Sequence, residues 1–280
     1  MTQSSRTALV TGAGAGSLGE ATREALQGLG FRVLTTTRTS AVADDTHPLE
    51  LSSRESVAAL AGWVATRTDG LDVLVNNAGI HLDLRSKWRE PQLVDGAEIH
   101  WRTNYLGTAQ LTRLLLPLLL ETAGAQGEAR VVNVVSKLHD RGRNAWLAGG
   151  VTPYDSWAAY GTSKLALVHE AAEIERRYGD RGLHGYSLHP GSVYTRIADR
   201  GLETAPVLAR LRKLAAPLER RSLASPEDGA RTTVFCATSP EAVPGGYHRR
   251  SAVAEPSVDA QDAAVAARLW DATDVWVDSV

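Results

Sequence analysis

Cysteine is almost absent from this 280-residue chain, in which Cys236 stands alone. One cysteine cannot form an intrachain disulfide and offers no thiolate cluster for a metal ion, which fits a reducing cytosol. An excess of positive charge is also missing, because 30 Lys and Arg stand against 32 Asp and Glu, for a formal net charge of -2. The phosphate backbone of a nucleic acid is therefore not an expected partner.

Long hydrophobic runs are lacking as well. The N-terminus enters a short apolar strand without the basic and apolar regions of a signal peptide, so we expect the mature chain to begin at or near Met1. The most apolar window, Leu111 to Leu120, contains Arg113 and Pro117 and is too short to cross a bilayer. The sequence therefore predicts a cytoplasmic protein without membrane insertion, and a buried helix at this window.

Two common catalytic patterns are also missing. The eight histidines show no metal-ligand spacing such as HExxH. No serine stands in the GxSxG context of a nucleophile elbow. We predict no metal site, and hydrolysis has no support in the sequence.

What the chain does have is a regular alternation of short apolar runs with longer helical patterns, in a globular composition that is 43% hydrophobic. Strands are predicted at Thr7–Val10, Phe31–Thr37, His47–Leu51, Leu71–Asn76, Arg130–Ser136 and Leu183–His189. Strands that alternate with helices form a parallel sheet covered on both faces. With no linker to divide it, the chain is expected to be a single α/β domain over residues 1–280.

Two segments are longer than ordinary connections. Residues 138–157 are rich in Gly, Pro and Asp, and a loop of this length is usually functional or mobile. Residues 197–221 read as a helix-like insertion ahead of a helix predicted at Pro226 to Thr238. We expect the insertion to cap a substrate pocket, with Trp146, Trp157 and Tyr194 as candidate lining residues and ordinary packing as the alternative.

A glycine-rich turn, TGAGAGSLG from Thr11 to Gly19, follows the first strand and opens the first helix. Glycines in this context let backbone N–H groups and a helix N-terminus approach a diphosphate. We select Gly12, Gly16 and Gly19; the alternative is a flexible turn without a ligand.

The end of the second strand indicates which dinucleotide is bound. An acidic residue there would bind the 2'-hydroxyl of NAD, but the strand ends in Thr37 and Arg38. A guanidinium suits the 2'-phosphate of NADP(H) by charge and by geometry. NADP(H) is therefore the expected cofactor, unless Arg38 is an ordinary surface arginine.

The stretch YGTSK places Tyr160 and Lys164 four residues apart, on one face of a predicted helix. Such a pair also occurs by chance, so its meaning depends on the motifs around it. An ammonium about 4 Å from a phenol supplies about 4 kcal/mol at an effective dielectric near 20, enough to lower the phenol pKa by about 3. We therefore expect an acidified Tyr160.

Taken together, these motifs resemble the short-chain dehydrogenase/reductase family. The glycine turn is followed, in the family's order, by LVNNAG (Leu74–Gly79), Asn104 in WRTNYLG, RVVNVVS ending at Ser136, YGTSK, and LHPGSVYT (Leu188–Thr195). Finer features, such as SWAAYGTSKLAL and AARLWDAT, resemble the branch of retinol dehydrogenases and the WW-domain oxidoreductase. The resemblance implies a single-domain Rossmann fold with a doubly wound, mostly parallel sheet of about seven strands.

The resemblance also implies catalytic roles. Tyr160 would exchange a proton with the substrate oxygen, and Ser136 would hydrogen-bond to the same oxygen. Lys164 would hold the nicotinamide ribose and keep the phenol acidic. Asn104 would bind a water that connects Lys164 to solvent. A turn serine and a helix bend are the alternatives for Ser136 and Asn104.

Most of the candidate cofactor residues lie on the same motifs. They are Gly12, Gly16, Ser17, Leu18, Gly19, Arg38, Glu50, Leu51, Asn76, Asn77, Ala78, Gly79, Tyr160, Lys164, Pro190, Gly191, Ser192, Val193 and Thr195. Two features depart from the family. Ser17 and Leu18 lengthen the glycine turn by one residue, and Glu50 stands where Asp is common beside the adenine.

The resulting prediction is an NADP(H)-dependent carbonyl reductase or alcohol dehydrogenase acting on a small, fairly apolar ketone, aldehyde or secondary alcohol. A non-redox nucleotide-binding or regulatory protein is the alternative. A methyltransferase would need an acidic residue after the second strand, where Arg38 stands. The resemblance leaves both a monomer and a homo-oligomer open.

Overall fold

An eight-stranded sheet forms the centre of the protein, whose computed structural model describes residues 6–38, 44–147, 150–191 and 224–279. The strands are β1 (Thr7–Val10), β2 (Arg32–Thr37), β3 (Thr46–Pro48), β4 (Val73–Asn76), β7 (Ala129–Val134), β8 (Leu183–His189), β9 (Tyr247–Arg249) and β10 (Ala252–Ala254). Two further strands, β5 (Leu93–Val94) and β6 (Ala97–Glu98), form a separate hairpin. The order in the main sheet is β10-β9-β8-β7-β4-β1-β2-β3, and every pairing except that of β10 with β9 is parallel.

Helices cover both faces of this sheet. They are α1 (Leu18–Gly28), α2 (Arg54–Arg67), α3 (Gly107–Gln126), α4 (Ser156–Tyr178), α5 (Pro226–Thr238) and α6 (Ala263–Asp278). Apolar residues of α1 and α5 pack against one face of the central strands. Apolar residues of α2, α3 and α4 pack against the other. The central strands β1, β4 and β7 are buried on both faces, which explains their continuous apolar sequences.

The predicted α/β architecture is confirmed. The bounds of β1, β8 and α5 agree with the prediction. Strand β3 spans Thr46–Pro48, so it ends three residues before the predicted Leu51. The eight strands agree with the predicted number of about seven, although β9 and β10, with three residues each, were not among the individual strand candidates. Their turn residues, Arg250 and Ser251, have φ of 54° and 55° without the Asn-Gly pattern that would announce a hairpin.

The apolar window at Leu111 to Leu120 lies within α3, as predicted. Its burial is one-sided, because Leu111, Leu115 and Leu119 are buried whereas Leu114 is 41% exposed. No helix in the described part of the chain is both long and apolar enough to span a membrane. The predicted capping insertion at 197–221 and Tyr194 lie outside the described residues.

Helix α6 packs on the outer face of α3 and α4. Trp270 of α6 is buried, and the guanidinium of Arg113 lies 3.2 Å from the centre of its ring. Arg113 Nε also donates to Asp274 Oδ1 at 2.7 Å. A homo-oligomer stays a prediction.

Candidate active site

The carboxyl ends of the parallel strands open into a cavity of about 600 Å³. It lies where the strand order reverses at β1, the usual ligand position in doubly wound sheets. Its lining extends from the glycine turn to the amino-terminal part of α4: Gly12, Gly14, Ala15, Ser17, Leu18, Thr37, Arg38, Leu49, Glu50, Leu51, Asn77, Ala78, Gly79, Ile80, Thr103, Val134, Val135, Ser136, Tyr160, Lys164, His189, Pro190 and Gly191. One space thus joins most of the residues predicted from separate motifs.

The glycine turn is shaped by its contacts with the β4 loop. Gly12 has φ of +72°, and a Cβ there would lie 3.0 Å from the Cα of Ala78. A Cβ on Gly19 would lie 2.5 Å from the carbonyl oxygen of Gly12, so the helix can approach the strand only with glycine here. Space is open around Gly14 and Gly16. Ser17, in the lengthened part of the turn, caps α1 by accepting from Glu20 N at 3.1 Å.

Thr11 joins this turn to the LVNNAG motif. Its hydroxyl accepts from the backbone N–H of Asn77 at 2.9 Å and of Ala78 at 3.0 Å. The same hydroxyl donates to Val75 O at 3.2 Å. Thr11 was not among the predicted site residues, although its place at the start of the glycine motif was a usable signal.

Four predicted site residues in the described part of the chain do not line the cavity: Gly16, Gly19, Asn76 and Asn104. Asn76 is the one among them that belongs to the LVNNAG motif. Its side chain is buried in the core and donates to Asn133 Oδ1 at 2.9 Å and to Thr112 Oγ1 at 3.1 Å. It therefore ties β4 to β7 and α3. Its neighbours Asn77, Ala78 and Gly79 do line the cavity.

The outer end of the cavity is lined by Arg38, Glu50 and Leu51. The Glu50 carboxylate accepts from the Ser52 backbone N–H at 3.1 Å and from its hydroxyl at 2.7 Å. Leu51 is held by Arg102, which is fully buried and whose Nη1 donates to Leu51 O at 3.0 Å. Arg102 was missed in the sequence, where a charged residue two positions before Asn104 gives no sign of burial.

Tyr160 and Lys164 lie in the first turns of α4, which begins after its N-cap Asp155. Tyr160 is 7% exposed and Lys164 is 4% exposed. Ser136 follows β7, and its Oγ accepts from Leu138 N at 3.2 Å. Ser136 is the side chain beside the Tyr160 hydroxyl whose hydrogen bonding would favour the phenolate. Lys164 Nζ donates to Val134 O at 3.2 Å and lies 5.8 Å from the centre of the Tyr160 ring.

Burial determines the protonation of this pair. Loss of hydration raises the pKa of Tyr160 to about 12, although the neighbouring Ser136 hydroxyl opposes the rise. The same loss lowers the pKa of Lys164 to about 8. Burial sets the direction of both pKa shifts, and the expectation that Lys164 keeps the phenol acidic stays a prediction.

Asn104 lies in a π-helical turn, Trp101–Leu106, that leads into α3. Its Oδ1 accepts from Ile80 N at 2.7 Å, and its Nδ2 donates to Ile80 O at 2.9 Å and to Ser163 Oγ at 3.1 Å. The side chain thus fixes the loop after Gly79 against α4. The predicted water bridge to Lys164 stays a prediction, and the protein itself engages the Asn104 amide.

His81, which was not among the predicted site residues, covers one face of Tyr160. The His81 imidazole stacks on the phenol ring with centroids 4.0 Å apart and planes 10° apart. Trp157 lies edge-on to His81 at 4.6 Å. Burial lowers the pKa of His81 to about 3, so the ring is neutral. Trp157 therefore lies near Tyr160, with the His81 ring between them.

The last motif contributes His189, Pro190 and Gly191 to the cavity. Burial lowers the pKa of His189 to about 4, so this side chain is also neutral. Ser192, Val193 and Thr195 lie outside the described residues. No group of three or more metal-binding side chains comes together within the described ranges.

The residues fit a dinucleotide. Glycines without near neighbours leave room beside the N-terminus of α1, where a diphosphate binds in this type of turn. The same continuous cavity extends from there to Tyr160 and Lys164. This chain would hold the diphosphate at the glycine turn and the reactive ring beside Ser136 and Tyr160.

Comparison with known proteins agrees with this geometry. Residues 6–205 match the short chain dehydrogenase family. The chain is 35% identical to mouse polyprenol dehydrogenase, over 96% of this chain and 82% of that protein. It is 32% identical to mouse retinol dehydrogenase 14, over 97% of this chain and 86% of that protein. A crystal structure of an uncharacterized Mycobacterium paratuberculosis protein superposes with a TM-score of 0.70 at 28% identity, covering 98% of this chain and 93% of that one.

The resemblance inferred from the motifs is confirmed by these matches. The fold of this family binds a nicotinamide cofactor, either NAD(H) or NADP(H). The chain belongs to the short chain dehydrogenase family of oxidoreductases, in the branch that contains the retinol dehydrogenases.

Proposed function

We propose that the protein is an NADP(H)-dependent oxidoreductase that interconverts a small, fairly apolar ketone or aldehyde with its alcohol. The observation that carries this proposal is the meeting of Ser136, Tyr160 and Lys164 at one end of a cavity whose other end is the glycine turn. A protein that only binds a nucleotide has no need for a buried proton donor at that place.

In the direction of reduction, Tyr160 is the proton donor. Its raised pKa keeps the phenol protonated at neutral pH. A nicotinamide dinucleotide held at the glycine turn would supply the hydride for the carbonyl carbon. The Tyr160 proton then moves to the substrate oxygen, which the Ser136 hydroxyl holds within reach.

Lys164 acts after the proton has left. The phenolate that forms would be strongly disfavoured in this buried site without a nearby positive charge. The ammonium of Lys164 on the next turn of α4 provides that charge. The electrostatic pairing expected from the YGTSK spacing therefore belongs to the reacting state rather than to the resting enzyme.

The choice of NADP(H) rests on the outer end of the cavity. Arg38 lines it directly after β2, at the position where an acidic residue would select NAD. A guanidinium binds a phosphate through two parallel hydrogen bonds. Arg38 therefore favours the 2'-phosphate of NADP(H).

An apolar substrate is supported by two observations. Ile80 and Val135 line the cavity near Tyr160, and Trp157 packs behind His81. The relatives are named for polyprenol and retinol, which are both apolar alcohols. Recognition of the rest of the substrate would then depend mainly on the hydrophobic effect.

The experiment follows NADPH and NADH absorbance in the presence of a panel of aliphatic, aromatic and isoprenoid aldehydes and ketones. We expect turnover with at least one apolar carbonyl, and about tenfold higher kcat/KM for NADPH than for NADH. Binding of NADPH without turnover of any carbonyl, or of the corresponding alcohols with NADP⁺, would favour the non-redox alternative.

A further inference from the structure

The lengthened glycine turn brings a carboxylate to the position expected for a diphosphate. The backbone N–H of Gly16 donates to Glu20 Oε2 at 2.6 Å. A short hydrogen bond to an ionised acceptor is among the stronger hydrogen bonds in proteins. Glu20 lies in the first turn of α1, where the helix dipole adds to its stabilisation.

This contact uses one of the donors that an incoming anion would need. A diphosphate at such a turn is bound by backbone N–H groups of the turn and of the first helical residues. The N–H of Glu20 is already engaged by Ser17 Oγ. Among the described residues, the N–H groups of Leu18 and Gly19 have no acceptor, whereas that of Gly16 does.

The carboxylate also has a route away from the turn. Its side chain is 29% exposed, so it can rotate into solvent when another anion takes the Gly16 N–H. Arg23 lies 3.7 Å from Glu20 Oε1 and is also paired with Glu24. The Arg23 guanidinium is therefore shared between Glu20 and Glu24. The hydrogen bond from Gly16 N–H alone does not fix the Glu20 side chain in place.

We propose that Glu20 is an internal competitor of the cofactor diphosphate: its carboxylate occupies the anion-binding turn and must be displaced for the dinucleotide to bind. Glu20 then weakens binding of both NADP(H) and NAD(H) and speeds their release. This inference rests on the proposed function, because it assumes that the cavity binds a dinucleotide.

The test compares Glu20→Gln with Glu24→Gln by fluorescence or calorimetric titration. The glutamine at position 20 keeps an oxygen that accepts from Gly16 N–H, so the fold is preserved and only the charge is lost. Glu24 lies one turn further along α1 and is paired with Arg23, which makes its variant the matched control. NADPH, ADP and adenosine are the probes, since only the first two carry a diphosphate.

For Glu20→Gln we expect Kd to fall about three- to tenfold for NADPH and ADP, and to stay unchanged for adenosine. The gain should largely disappear in about 1 M salt, where screening acts within about 3 Å. Glu24→Gln should leave all three affinities within about twofold.

The other outcomes contradict the inference. Unchanged or weaker NADPH binding by Glu20→Gln means that Glu20 only supports the turn. An equal gain in Glu24→Gln means a general effect of net charge. Wild-type protein that binds neither NADPH nor NADH would overturn the proposed function as well, which separates the two failures.

Discussion

The two ends of the cavity are built in different ways. The nucleotide end consists mostly of backbone, with Gly12 and Gly19 setting close approaches and Thr11 holding two loop N–H groups. The catalytic end consists of buried side chains, and its properties come from the lost hydration of Tyr160 and Lys164. Substitutions at the nucleotide end should change the affinity for the dinucleotide, because they alter the shape of the backbone. Substitutions at the catalytic end should change the turnover rate, because they alter charged and proton-donating groups.

Removal of the Tyr160 hydroxyl should abolish turnover without changing dinucleotide binding. We expect Tyr160→Phe to lose turnover by about a thousandfold or more, because the proton donor is absent while the ring still stacks on His81. The Kd for NADPH should stay within about threefold of the wild-type value. Steady-state rates with the best carbonyl of the panel, together with NADPH titration, measure both.

Tyr105→Phe is the matched control for this variant. Tyr105 is also buried, but its hydroxyl bonds to Thr273 Oγ1 of α6 at 2.6 Å rather than to a cavity residue. Its turnover should stay close to that of the wild type. Substantial activity in Tyr160→Phe would assign the proton transfer to another group.

The buried ammonium of Lys164 should make stability depend on pH. Its pKa is about 8 in the folded protein and 10.5 in an unfolded chain, so between these values the unfolded chain binds more protons. The free energy of unfolding therefore rises as pH increases from 8 towards 10.5, by about 3 kcal/mol from this group. Urea unfolding from pH 7.5 to pH 10 measures the slope.

Lys164→Met isolates that effect. The variant keeps a long apolar side chain without the charge, and every other titrating group is common to both proteins. The difference in unfolding free energy between the variant and the wild type should shrink as pH rises. A constant difference would show that Lys164 is not desolvated at the catalytic end.

Addition of a methyl group at Gly12 in the glycine turn should weaken dinucleotide binding. We expect Gly12→Ala to weaken NADPH binding about tenfold, because its φ of +72° disfavours a Cβ that would also press on Ala78. Turnover at saturating NADPH should change little. Gly28→Ala is the control, since the space around Gly28 is open and its helix accepts alanine. An equal loss of NADPH affinity in both variants would contradict the prediction that the backbone shape at Gly12 determines binding.

The motifs predicted most of the cavity because each is local in sequence. A glycine turn between strand and helix, and a Tyr and Lys at i and i+4, carry their geometry with them. Asn76 shows the limit, since it belongs to the same motif as Asn77 but its side chain turns into the core. Alternation along a strand places adjacent residues on opposite sides, and the motif does not say which side is the cavity.

Contacts between distant segments could not be predicted in the same way. The stacking of His81 on Tyr160 joins the loop after β4 to helix α4, and no pattern in the sequence predicts it. The β9 and β10 strands were missed because they are short and their turn lacks glycine. The contact between Gly16 and Glu20 is close in sequence, but it depends on how the lengthened turn folds.

By itself, the sequence determined the class of fold through its periodicity and the family through its motifs, and it singled out Tyr160 and Lys164 as the proposed proton donor and its cationic neighbour. Only the tertiary structure decided that burial raises the pKa of Tyr160 and lowers that of Lys164, and that the Glu20 carboxylate accepts from the N–H of Gly16. The physical reason is that desolvation and charge depend on which distant segments exclude water from a group, and that is a property of packing rather than of neighbours in the chain.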